Sequence, residues 1–220
     1  MTQSKTTFYS TSVGKKVVMA VTGVLAFSFV VIHMIGNMQV FVSASAINRY
    51  ARFLHDLGPG LWVFRILMAV IILVHMIAAT QVTLQNMNAR PNRYARTKYR
   101  ETSYAARTMW LGGPIIALFV IYHLMHLTFG TAHTSFSDNV YNNVVFGFQV
   151  PWVSAIYIVA MLLLGLHLSH GLWSMFQSMG LNHPKWNRAR RIFAYLFGLG
   201  IAIGNISIPV SILAGIVRPV

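Results

Sequence analysis

The chain has 220 residues, 56% of them hydrophobic and only 9% charged, which excludes an ordinary soluble domain. Seventeen Lys and Arg stand against three acidic residues, a net charge of +14. In a soluble protein that would suggest nucleic acid, but here the bases lie in short segments between apolar runs, which suits a membrane surface and leaves no nucleic-acid partner. With no cysteine, the chain can carry no disulfide, no thiolate metal site and no cysteine-held iron–sulfur cluster.

The N-terminal stretch MTQSKTTFYSTSVGKK lacks the short apolar core and small-residue cleavage site of a removed signal peptide, so the first apolar run reads as a retained helix. Five runs follow, at about 17–42, 61–84, 109–130, 152–177 and 191–216. Each reaches the roughly 20 helical residues that cross a hydrocarbon layer of about 30 Å. A chain segment in lipid must bond its own backbone, so helix is the expected state. The fold class expected is an all-α integral membrane protein, a single domain over 1–220 with five transmembrane helices in a bundle. Between the first two runs, 43–60 reads as a loop. The segment 131–151 is polar, uncharged but for Asp138, and long enough to fold over a site beside it. Trp62, Trp110, Trp152 and Trp173 fall near helix ends, as interfacial anchors do.

The bases give the orientation. Lys5, Lys15 and Lys16 precede the first run. Arg90, Arg93, Arg96, Lys98, Arg100 and Arg107 fill the second connection, and Lys185, Arg188, Arg190 and Arg191 the fourth. The opposite side has Arg49, Arg52 and Arg218, with Arg65 just inside the second run. This bias places the N-terminus in the cytoplasm, with the basic connections as a platform for anionic lipid or a docked cytoplasmic subunit.

Four runs carry one histidine each at similar depth: His33, His75, His123 and His167. Because successive spans alternate in direction, His33 and His123 fall to the outer side, His75 and His167 to the inner. A lone histidine in a spanning helix is more often an interhelical hydrogen-bonder than a ligand. Four at two matched depths are what two stacked haems need for axial ligation from both faces. His126 and His170 each follow a proposed ligand by three residues and share its helix face, so either can replace it or meet a propionate or quinone. His55, His133 and His183 read as surface residues. Gly23, Gly36, Gly165 and Gly171 lie near the ligands and would leave room for a porphyrin, or else allow close helix packing.

The segments TSVGKKVVMAVTGVLAFSFVVIHMIGNMQVF and GLHLSHGLWSMFQSMGLNHP resemble the cytochrome b membrane subunit of succinate:quinone oxidoreductases, the complex II and fumarate reductase group. The resemblance is to the single-chain, five-helix, two-haem branch and covers essentially the whole chain. It implies two haem b groups, with His33 and His123 on the iron of the outer and His75 and His167 on that of the inner; YHLM favours His123 over His126. It implies a flavoprotein subunit and an iron–sulfur subunit as partners, electrons delivered to a quinone, menaquinone above all, and dimers or trimers of the complex in a bacterial cytoplasmic membrane. Such a chain is a necessary part of an enzyme rather than an enzyme alone.

Quinone carbonyls call for hydrogen-bond donors in an apolar cleft. Inner candidates, for quinone or haem propionate, are Ser12, Lys16, His170, Trp173, Ser174 and Gln177. Outer candidates are Gln39, Asn48, Arg52, His55 and Asp56. Fumarate reductases of this architecture can use a helix-four glutamate near the inner ligand as a proton path. Here Gly165 stands two before His167, and none of the five runs contains Asp or Glu. A transporter or channel finds little support without a membrane-embedded carboxylate or broken half-helices. A quinone-linked cytochrome b of a hydrogenase or formate dehydrogenase stays open.

Overall fold

A computed structural model describes residues 7–89 and 104–220. These form seven α-helices: α1 (Ser12–Asn37), α2 (Ala44–Asp56), α3 (Pro59–Asn88), α4 (Tyr104–Leu127), α5 (Val140–Gln149), α6 (Pro151–Ser178) and α7 (Pro184–Leu213), with no strand among the described residues. Five of them, α1, α3, α4, α6 and α7, are long and apolar enough to cross a membrane. The bases from Arg90 to Arg100, with Lys5, lie outside the described residues.

Local chemistry sets the helix starts. Thr11 accepts from Gly14 N at 2.9 Å, Ser43 from Ala46 N at 3.0 Å and Asn139 from Asn142 N at 3.1 Å, each satisfying an amide that has no intrahelical partner. Proline opens α3, α6 and α7, where its missing N–H costs nothing. The same signal moves the fifth span: with Pro184 in its first turn, α7 takes in Lys185, Arg188, Arg190 and Arg191, which are helical rather than loop residues. Between α2 and α3 the chain turns at Gly58, whose φ of 53° suits a residue without Cβ.

Two helices stand where loops were expected. α2 replaces the 43–60 loop, and α5 occupies half of the 131–151 segment. The polar look of α5 is misleading: Tyr141, Val145 and Phe148 are buried and join Val153 and Tyr157 of α6 and Ile208 of α7 in the main apolar cluster. Asn48 and Asn139 tie the two short helices together. Asn48 Nδ2 donates to Asn139 Oδ1 at 3.0 Å, and Tyr141 N donates to Asn48 Oδ1 at 3.0 Å. One N–H and the oxygen of the Asn48 amide are therefore used in packing.

Among the spans, α1 packs along α3, α4 along α6, and α6 most extensively along α7. Small residues allow the last of these. A Cβ on Gly165 would sit 2.9 Å from Gly198 O and 3.0 Å from the Ala202 methyl, and Ser169 Oγ lies directly over Gly198. Gly165 thus serves helix packing rather than porphyrin room, and Gly36 does the same for Tyr50 of α2, whose ring would be 2.6 Å from an added Cβ. Leucine at Gly165 or Gly198 is expected to destabilise the bundle by about 1–3 kcal/mol through overpacking. The measurement is thermal melting in detergent; an unchanged midpoint would show that α6 and α7 can separate without cost.

Many large apolar side chains face outward along the spans, among them Ile32, Ile35, Leu118 and Ile203. Trp62, Trp110 and Trp152 are also exposed, near helix starts, at a depth suited to an interfacial ring.

Candidate functional site

The four span histidines meet as two pairs. His33 of α1 faces His123 of α4 with ring centroids 5.7 Å apart and planes at 89°. His75 of α3 faces His167 of α6 at 6.2 Å and 62°. Neither α1 with α4 nor α3 with α6 is among the closely packed helix pairs, so each pair of rings meets across a gap between backbones. Gly23 of α1 lies against the His75 ring, where an added Cβ would be 3.3 Å from Cε1. Gly23 and His33 are ten residues apart on one helix, which at 1.5 Å per residue puts the two levels about 15 Å apart.

The spacing suits a shared metal. Two imidazoles on opposite sides of one ion, each bonded at about 2 Å through a nitrogen roughly 1 Å from its ring centre, have centroids about 6 Å apart. Among the described residues no group of three or more His, Asp or Glu could hold a metal ion. Two ligands per level suit a planar cofactor that brings its own equatorial donors.

Ring nitrogens add a second test. His75 Nδ1 lies 3.0 Å from Met19 O and 3.2 Å from Thr22 Oγ1. A proton on Nδ1 donates to the Met19 carbonyl and leaves the Nε2 lone pair free, the usual outer-shell device for a metal-binding histidine. His167 Nδ1 is buried without a hydrogen-bond partner. Beside His167, a cleft between α4 and α6 is lined by Thr108, Met109, Gly112, Leu163 and Leu166, and Gly112 has open space where a Cβ would stand. His123 Nδ1 is 3.2 Å from Tyr157 Oη. His33 departs from the pattern, because its Nε2 pairs with Asn37 Nδ2 at 3.0 Å. A metal bound through that nitrogen requires the Asn37 amide to turn aside, a small movement for a half-buried side chain. With that one adjustment, the ring spacing at each level suits two axial imidazoles on one metal.

His126 points elsewhere. It is 1% exposed, its Nδ1 lies 3.0 Å from Tyr157 Oη, and its ring stacks on Tyr122 at 5.6 Å and on His133 at 4.9 Å. Gly147 of α5 closes the remaining side, since a Cβ there would be 2.9 Å from His126 Nε2. Of the two histidines one turn apart, the structure turns His123 toward His33 and His126 toward α5. His133, expected as a surface residue, is half-buried, with Nε2 bonded to Asn143 O at 2.8 Å. His183 caps α7 by accepting from Lys185 N at 3.3 Å, and His55 is exposed.

The other candidates scatter. Ser12, Lys16 and Gln177 are exposed; His170, Trp173 and Ser174 are half-buried, with Arg191 over the Trp173 ring at 5.2 Å. Lys15, not Lys16, is the buried lysine at the start of α1, with Nζ 3.3 Å from Ser10 O and 5.7 Å above the Tyr9 ring. Gln39 is half-buried in the 3₁₀ turn Met38–Phe41 that ends α1, while Arg52, His55 and Asp56 lie exposed on α2.

Tyr157, Met19, Thr22 and Asn37 are the partners that reading the sequence misses. For Tyr157, Thr22 and Asn37 a hydroxyl or amide inside an apolar run was the available signal, whereas Met19 serves through its backbone carbonyl, which no spacing shows. No protein-family model, no curated protein and no solved structure matches this chain.

Proposed function

We propose that this chain is the haem b-holding membrane anchor of a bacterial succinate:quinone oxidoreductase, joining a flavoprotein and an iron–sulfur subunit at the cytoplasmic face to a quinone, menaquinone, in the membrane. The observation that carries this reading is the meeting of four histidines from four spans as two facing pairs, 5.7 and 6.2 Å between centroids, at two depths. The resemblance of the first and fourth spans to that family supplies the reaction and the partners. Haem b held by these pairs supplies reversible one-electron transfer inside an apolar layer. The protein's own part is to hold and orient.

His75 is fixed by Met19 and Thr22 of the neighbouring α1, so its ring cannot turn without breaking those contacts. His123 is fixed by Tyr157 of α6. In a bilayer, lipid against the outward apolar faces of α1, α3, α4 and α6 would keep water from both levels. The short basic start of α7, with Lys185, Arg188, Arg190 and Arg191, provides positive charge where a cytoplasmic subunit or anionic lipid would dock.

The test is to solubilise the protein from its native membrane under mild conditions. Two b-type haems per chain are expected by pyridine haemochrome analysis, low-spin and unreactive toward carbon monoxide because two imidazoles leave no open iron position. A flavoprotein and an iron–sulfur protein should co-purify, with succinate-reducible haem. A haem-free preparation overturns the haem reading. Haem with a hydrogenase or formate dehydrogenase as the co-purifying partner moves the chain to a different quinone-linked complex.

A further inference from the structure

Tyr157 sits where α4, α5 and α6 converge, and it is 6% exposed. Its ring is clamped edge-on between Phe119 of α4, at 4.9 Å and 87°, and Phe148 of α5, at 4.7 Å and 85°. That clamp leaves the hydroxyl no freedom to wander. Its oxygen lies between two imidazoles, 3.2 Å from His123 Nδ1 and 3.0 Å from His126 Nδ1.

Proton counting, together with the reading of His123 as a ligand, gives the direction of these two bonds. A phenol has one proton to give and can accept as well, and a neutral imidazole carries one proton on one of its nitrogens. The two rings are the hydrogen-bond partners of the Tyr157 oxygen, so the phenol proton goes to one of them, and the ring that accepts it leaves the other to donate. If His126 donated, Tyr157 would donate to His123 Nδ1, and the His123 proton would then sit on Nε2, where no metal could bind. If His123 donates, its Nε2 lone pair is free, and the Tyr157 hydroxyl donates to His126 Nδ1. The burial of His126 between Tyr122, His133 and Gly147 suits that accepting, non-ligand part.

We propose that Tyr157 is the positioning residue of the His33/His123 pair, fixing the tautomer and plane of His123 through Nδ1 and so setting how strongly Nε2 donates to a metal. This rests on the reading of that pair as haem ligands. Accepting a hydrogen bond from Nδ1–H makes the imidazole a stronger donor and favours the ferric state. Losing that bond should raise the reduction potential and free the ring to turn.

The experiment compares wild type with Tyr157→Phe in the assembled complex, by redox titration and by electron paramagnetic resonance of the ferric low-spin signals. Phenylalanine keeps the edge-on contacts with Phe119 and Phe148 and removes only the hydroxyl. Both haems should be retained. The His33/His123 haem should shift upward by about 59 mV, corresponding to a tenfold weaker preference for the ferric state in a one-electron couple, and its resonance should move with the ring plane. The His75/His167 haem should keep both its potential and its signal.

Two retained haems with unchanged potentials and signals, or a change confined to the His75/His167 haem, overturn the proposal. Should Tyr157→Phe fail to accumulate, His126→Leu reads the same chain from its far end. Without its acceptor the tyrosine hydroxyl is a poorer partner for His123, so an upward shift smaller than tenfold is expected at the same haem. No shift, or loss of that haem outright, overturns the assignment. If the wild-type complex carries no haem, it is the proposed function that fails, and the wild-type spectrum shows this before either variant is read.

Discussion

Replacing His75 or His167 with alanine is expected to remove one haem per chain and leave the other, and replacing His33 or His123 to remove the complementary one. The two pairs are about 15 Å apart along α1 and share no ring contact, so the loss of one should not empty the other. His75 and His167 meet only each other among the ring contacts of the four, as do His33 and His123. Removing either member of a pair leaves one axial ligand and an open iron position, so any haem that remains becomes high-spin and binds carbon monoxide. The effect is total for one centre: half the haem by pyridine haemochrome, and one of two low-spin signals gone. His126→Leu should by contrast retain both haems, since that ring is packed against Tyr122, His133 and Gly147. Full haem retention in the His123 variant, with loss in the His126 variant, would reverse their parts.

The spans were legible in the sequence because lipid permits few alternatives: a long uncharged run has to be a helix, and five such runs give five spanning-length helices. Histidine pairing was legible for a related reason. Alternating helix direction converts position in a run into depth, and depth decides which rings can meet. His123 and His126 could not be separated that way, since both lie on nearly one face of α4. What separates them is α5, which presents Gly147 to His126. That helix was itself hidden, because Asn139, Asn142 and Asn143 make the segment look like an exposed loop. In the fold those side chains cap the helix, bond the chain end near Val220 and bond Ser137. Ser12, Lys16, Gln177 and Arg52 were legible only in part. A polar side chain near a helix end can be read from sequence, but whether it turns inward depends on neighbours on other helices, and all four are exposed.

Succinate-driven reduction of menaquinone by the whole complex in sealed membranes is expected to slow at least about tenfold when the membrane potential is collapsed. A low-potential quinone accepts electrons from succinate unfavourably, a property that comes with the family this chain resembles. Two histidine levels about 15 Å apart along one helix are more than is needed to reach a quinone at the cytoplasmic face. They make sense if electrons leave at the outer level, near His33, His123 and α2. Negative charge moving from inside to outside travels toward the positive side. Each charge crossing about 100 mV gains roughly 2.3 kcal/mol, so two electrons gain roughly 4.6 kcal/mol. At about 1.4 kcal/mol per 30 mV for a two-electron couple, that offsets an uphill gap of about 100 mV. Losing about 1.4 kcal/mol of this drive lowers the equilibrium constant for quinone reduction about tenfold, and for a step run close to equilibrium the net rate falls with it. Quinol protons would then enter from the outer side, where His55 and Asp56 stand exposed on α2, and no carboxylate within a span is needed to carry them. The measurement is the rate in vesicles of known orientation with and without an uncoupler, together with the side from which protons disappear. An unchanged rate with protons drawn from the cytoplasmic side would mean that the outer histidine pair serves some purpose other than moving charge across the membrane.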